Sequence, residues 1–170
     1  MTTFTGQTVA DRVLMQAHHY RTNGRLYCRI DSTNSRILLR ATDVGAVTMP
    51  AVVGELVRAR FRSYAAGPIF AHGERWTFLT LPHRLDSDLG TVAALNSHNA
   101  QIVPNGATLL LPSPGDPFSD CRRWIVAPQD ALRPTMHTVI TAFSCVVDSR
   151  QDRRESSLSM MPREIHWNAS

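Results

Sequence analysis

The chain has 170 residues, 43% of them hydrophobic, which is enough for one domain around one proper core. No run approaches the roughly 18 unbroken apolar residues of a membrane helix. The opening MTTFTGQTVADRV lacks a basic segment followed by an apolar one, so neither insertion nor secretion is expected and a cytoplasmic location follows. The formal net charge is +4, and all 18 basic residues are arginine. That permits an anionic partner, since guanidinium forks grip phosphate and stack on bases, but so mild an excess does not demand one.

Residues 7–21 place Val9, Val13 and Ala17 at helical spacing, so a short amphipathic helix is expected. "RLYCRI" and "RILLRA" follow, two β-rich runs around "DSTNS", and read as a hairpin. "GAVTMP" is a strand ending at Pro50, and "AVVGELVRARFRSY" is helical, with Val52, Val53, Leu56, Val57 and Phe61 on one broad apolar face. Arg60 falls within that face. It has two readings: a snorkelling arginine with its head in water, or a cation aimed into a cleft.

"AGPIFAHGERWTFLTLP", residues 66–82, sets two apolar runs around a charged turn and reads as a second hairpin. Alternation puts Trp76 and Phe78 on one face of its second strand and Arg75 and Thr77 on the other. A short helix around 88–96 comes next, with Asp86 and Asp88 suited to capping it. "AQIVPNGATLLLPSP" is a strand, a Pro-Asn-Gly turn and a strand, and "RRWIVAP" is one more. "RPTMHTVITAFSCVV" makes a final helix with Met136, Val139, Ile140 and Phe143 on one face. Residues 148–170 are polar and read as a flexible tail. The expected fold is therefore a single α+β domain over 1–147, a mainly antiparallel or mixed sheet of several hairpins packed by three or four helices.

Chemistry-bearing patterns are sparse. Cys28, Cys121 and Cys145 have no metal-ligand or disulfide spacing, and the seven histidines form no HxxxH or HxH, although a site assembled across the fold stays open. There is no GxSxG, P-loop or GxGxxG. Asp86 and Asp88 have the spacing of paired metal-binding carboxylates, but precede a helix as caps do; Asp31 and Asp43 stand alone.

The order of these pieces resembles the N-terminal domain of bifunctional primase-polymerases, over about residues 45–147. "HGERWTF" (72–78) is similar to the family's "GGRHLYF" type of hairpin, which carries a nucleotide-contacting histidine. "NGATLLLPSP" and "CRRWIVAP" are similar to its "GGYVVAPPS" strand and the aromatic that follows beside a basic pair. The resemblance implies a sheet that holds a two-metal nucleotidyl-transfer site. This chain departs from the pattern where that chemistry is done. "VGAVTMP" has no carboxylate, Trp76 stands at the position of the hairpin histidine, and "NAQIVPNGA" lacks the third acid.

The expectation is a non-catalytic primase-polymerase-like domain, with no metal and no cofactor, that binds nucleic acid or a nucleotide through arginines in an accessory or regulatory role. Arg58, Arg62, Arg75, Arg122 and Arg123 are the candidate phosphate contacts. Trp76 and Trp124 are candidate stacking platforms, their ordinary alternative being the core. Two other readings stay open: a protein-interaction module, and an active nucleotidyltransferase using carboxylates among Asp31, Asp43, Asp86 and Asp88.

Overall fold

A computed structural model of the chain describes residues 8–61, 65–82, 89–114, 116 and 121–159, the last seven of these by backbone alone. Helix α1, Val9–Thr22, opens on a capping box: the Thr8 hydroxyl accepts the Asp11 N–H at 3.1 Å, and the Asp11 carboxylate accepts the Thr8 N–H at 3.1 Å. This satisfies donors that the first helical turn cannot pair for itself. Strands β1 (Arg29–Asp31) and β2 (Arg36–Arg40) form the first hairpin, with β1 shorter than "RLYCRI" suggests. Strand β3, Gly45–Pro50, leads into α2, Ala51–Ala59.

Strands β4 (Ile69–His72) and β5 (Arg75–Thr80) pair across a two-residue turn, Gly73–Glu74. Gly73 has φ +57°, the left-handed conformation such tight hairpin turns require. Helix α3 (Leu89–Ser97), β6 (Gln101–Ile102), β7 (Thr108–Leu111) and β8 (Arg122–Val126) follow. The last helix, α4, runs from Met136 to Ser159, so the first part of the segment read as a tail from residue 148 is helical. Its N-terminus is capped by Thr135, whose hydroxyl accepts the Thr138 N–H at 3.1 Å.

The strands make two antiparallel sheets, β1-β2-β7 and β6-β3-β5-β4-β8, in a single α+β domain. The strand–turn–strand at 100–111 is therefore not a hairpin. β6 pairs with β3, and β7 crosses to β2, guided by the Gly106 N–H to Ala41 carbonyl and Ala41 N–H to Ala107 carbonyl bonds.

Alternation along the five-stranded sheet divides the core in two. Val47, Met49, Ile69 and Phe78 face α2, α3 and α4, joining Val53, Val57, Leu95, Val139 and Phe143. Ala46, Phe70 and Leu79 face the other way, toward Val13, Ala17 and Tyr20 of α1 and Ile37, Leu39 and Leu111 of the smaller sheet. Helix α2 lies hard against β5: a Cβ on Gly54 would meet Trp76 Cβ at 3.0 Å. Its apolar face is wider than its buried face. Val53 and Val57 are buried, whereas Val52 and Leu56 are 64% and 40% exposed. No helix among the described residues is long and apolar enough to cross a membrane.

Candidate nucleic-acid interface

At the hairpin end of the five-stranded sheet, Arg75, His72 and Arg122 form one row across β5, β4 and β8. They share the face of Phe70 and Trp124, by two-residue alternation. His72 and Arg122 present no open cation, and Arg75 is half-buried with one donor engaged. Arg75 donates from Nη2 to the Asn99 carbonyl at 2.8 Å. Arg122 is only 5% exposed; it forms an ion pair with Asp116, and its Nη2 lies 3.3 Å from His72 Nε2. Arginine can only donate, so Nε2 is the unprotonated nitrogen of that imidazole.

Burial lowers the pKa of Arg122, and the neighbouring Arg36 lowers it further. Burial and then the charge of Arg122 lower that of His72, from an ordinary 6.5. Both effects favour the neutral imidazole, in keeping with an unprotonated Nε2 facing Arg122. Nε of Arg36 and Nε of Arg122 are buried without a hydrogen-bond partner. The charge of Arg36, at the start of β2, reaches this cluster.

Arg123 points to the opposite face. It pairs with Ala71, itself opposite Trp76, and is exposed on the helix side. Arg58, exposed on α2, lines a hollow of about 290 Å³ on that side with Pro68, Ile125 and Val126. Arg62 lies outside the described residues. The four described arginines thus divide between two faces of the sheet and do not converge.

The two tryptophans divide in the same way. Trp76 is half-buried against Gly54 in the helix-side core. Trp124, also half-buried, donates its indole N–H to the Tyr20 hydroxyl at 2.6 Å and stands edge-on to Tyr20 and Phe70, with ring centroids 5.4 and 5.7 Å away. Both lie in the packing that ordinary core tryptophans adopt.

The carboxylates are similarly dispersed. Asp31 accepts from the Thr33 N–H and Asn34 Nδ2 at the tip of the first hairpin, and the Asn34 hydrogen bond is the chief reason its pKa is lowered. Asp43 is exposed in the turn after β2. Asp86 and Asp88 lie outside the described residues. Among the described residues, no three His, Cys, Asp or Glu side chains gather as a metal would require.

The open cations lie elsewhere, on the outward face of the three-stranded sheet. Ile30, Ile37, Leu39 and Leu111 point inward; the alternate residues Arg29, Asp31, Arg36, Leu38, Arg40, Thr108 and Leu110 point outward. Arg29, Leu38 and Leu110 form a row across the three strands, with Asp31–Arg36 on one side of it and Arg40–Thr108 on the other. Just before β1, Leu26 and Cys28 are buried and Tyr27 is 68% exposed, at a tight turn closed by the Cys28 N–H to Leu26 carbonyl bond of 2.7 Å.

Helix α1 packs on the inner face of this sheet, leaving a pleated surface with exposed Arg29 and Arg40, half-buried Arg36, one carboxylate and two half-buried leucines, and Tyr27 at its margin. The sequence signal for it is the alternation in "RILLR" and "RLYCRI". That alternation is silent on which face of the hairpin meets solvent.

No protein-family model, no curated protein and no solved structure matches the chain.

Proposed function

We propose that the protein is a non-catalytic, primase-polymerase-like domain that binds single-stranded nucleic acid across the outward face of β1-β2-β7. The observation that carries this reading is exposed Tyr27, just before β1, with exposed Arg29 and Arg40 on the outward face of the small sheet. An exposed aromatic offers a base a stacking surface, and the arginines meet the phosphates that flank it. A flat face suits a strand of several nucleotides better than one nucleotide, which needs a concave site. Asp31 tempers the charge beside Arg36, while Arg29 stands in the leucine row itself and Arg40 on its far side.

The primase-polymerase likeness rests on motif order. The hairpin at 72–78 supports the non-catalytic part of the reading: Trp76, at the position of the family's nucleotide-contacting histidine, is turned into the helix-side core.

The test is a fluorescence-anisotropy titration of a labelled oligo(dT) at a series of salt concentrations. Each phosphate neutralised on a single strand contributes about −0.7 to the slope of log K against log salt. Two to three contacts therefore give a slope of about −1.4 to −2.1. Binding that ignores salt, undetectable binding, or binding confined to nucleoside triphosphates would remove the reading.

A further inference from the structure

The apolar face of α2 holds one cation that the nucleic-acid reading does not use. Val52, Leu56 and Ala59 stand at i, i+4 and i+7, a stripe about 10 Å long on one side of the helix. Val52 and Leu56 remain largely exposed. Between this stripe and α4 runs a groove of about 420 Å³ lined by Leu56, Ala59, Arg60, Val146, Ser149 and Arg150.

Arg60 is held at its rim. Its Nη2 donates to Ser149 Oγ at 3.3 Å, and that hydroxyl in turn donates to the Cys145 carbonyl at 2.6 Å. Arg150 is exposed on the α4 side. Glu55, Asp148 and Asp152 are not among the lining residues.

We propose that this groove is a docking site for an acidic amphipathic helix of a protein partner. The charge of the rim argues for the sign: among the described residues, two guanidiniums and no carboxylate border the apolar floor. The shape argues for a helix, because the Leu56–Ala59 floor continues along α2 to exposed Val52 just outside the groove, a line that complements i, i+4, i+7 anchors. Arg60, placed among apolar residues on the helix wheel, then has a purpose. It stands where the apolar stripe ends and receives the partner's flanking carboxylates in bidentate fashion. The groove lies on the helix side of the large sheet, away from the outward face of the small one, so the two surfaces fail or succeed independently.

The probe is a labelled helical peptide of about 15 residues, with leucines at i, i+4 and i+7 and glutamates beside them, alongside its lysine-for-glutamate counterpart. The full-length protein is expected to bind the acidic peptide at least about tenfold more tightly than the basic one. Leu56→Asp should abolish binding, and Arg60→Ala and Arg150→Ala should each weaken it about threefold to tenfold. Far-UV circular dichroism and oligo(dT) affinity should stay unchanged in all three variants, which separates a lost groove from a lost fold.

Equal binding of the two peptides, failure of both to bind, or indifference to Arg60 and Arg150 would overturn the proposal. Displacement of the acidic peptide by decanoate at lower concentration would reassign the groove to a small anionic amphiphile and overturn it too.

Discussion

At the hairpin end of the five-stranded sheet the guanidinium groups are engaged: Arg122 is buried against Asp116 and His72, and half-exposed Arg75 donates to the Asn99 carbonyl. On the three-stranded sheet, Arg29 and Arg40 stand in solvent beside exposed Tyr27. The difference comes from what covers each face. The row Arg75–His72–Arg122 shares its face with Phe70 and Trp124, which pack against α1, so a cation there must find an anion or carbonyl. The outer face of the small sheet has α1 behind it and water in front. The same residue type becomes structural in one sheet and available for ligands in the other, and adjacency to a tryptophan in the chain decides neither outcome.

Breaking the inward cluster should have the largest effect. Asp116→Asn removes the carboxylate facing Arg122 and leaves two neighbouring guanidiniums uncompensated, so about 3–5 kcal/mol of stability should be lost in urea denaturation. A double replacement with apolar residues, Asp116→Leu with Arg122→Met, should recover much of that loss, because no buried charge then remains. Oligo(dT) affinity of the folded fraction should not change in either variant.

Sharpening the outward face comes next. Tyr27→Ala should cost about 1–3 kcal/mol of oligo(dT) binding, the range for one lost base stack, while the melting temperature holds because this ring is mostly in solvent.

The smallest effect concerns pH. The folded-state pKa of His72 is depressed below its ordinary 6.5 by burial and by Arg122, so the unfolded chain binds more protons as pH falls through 6.5. Stability should therefore be fully present above about pH 6.5 and fall below it, toward the lowered folded-state value. His72→Gln should flatten that part of a stability–pH profile, and an unchanged slope would show that His72 is not strained by its surroundings.

Much of the fold was legible because it rests on local pattern. The alternation of "RWTF" placed Trp76 and Phe78 together, and both do face the helices. The spacing of Met136, Val139, Ile140 and Phe143 gave the buried face of α4. What stayed hidden depends on partners distant in the chain. β6 and β7 look like two arms of one hairpin, yet they belong to different sheets, because register is set by β3 and β2 and not by the turn between them.

The site was legible in the same uneven way. Neighbours in a strand point to opposite faces, so Arg122 and Arg123 could not both border one ligand. The burial of Arg122 depends on Asp116, which is in a loop no periodicity marks. Alternation does pair Arg36 with Arg40 and Tyr27 with Arg29; only the tertiary packing of α1 shows that this is the side left open.

The most direct test sets the two faces against each other in one experiment: oligo(dT) affinity at a fixed low salt for Arg29→Ala/Arg40→Ala and for Arg58→Ala/Arg123→Ala. The first pair should weaken binding about tenfold or more and make the salt slope shallower by about 1.4, the share of two phosphate contacts; the second should stay within about twofold of the parent protein. A reversed ranking, with Arg58 and Arg123 carrying the affinity, would contradict the assignment of nucleic acid to the small sheet.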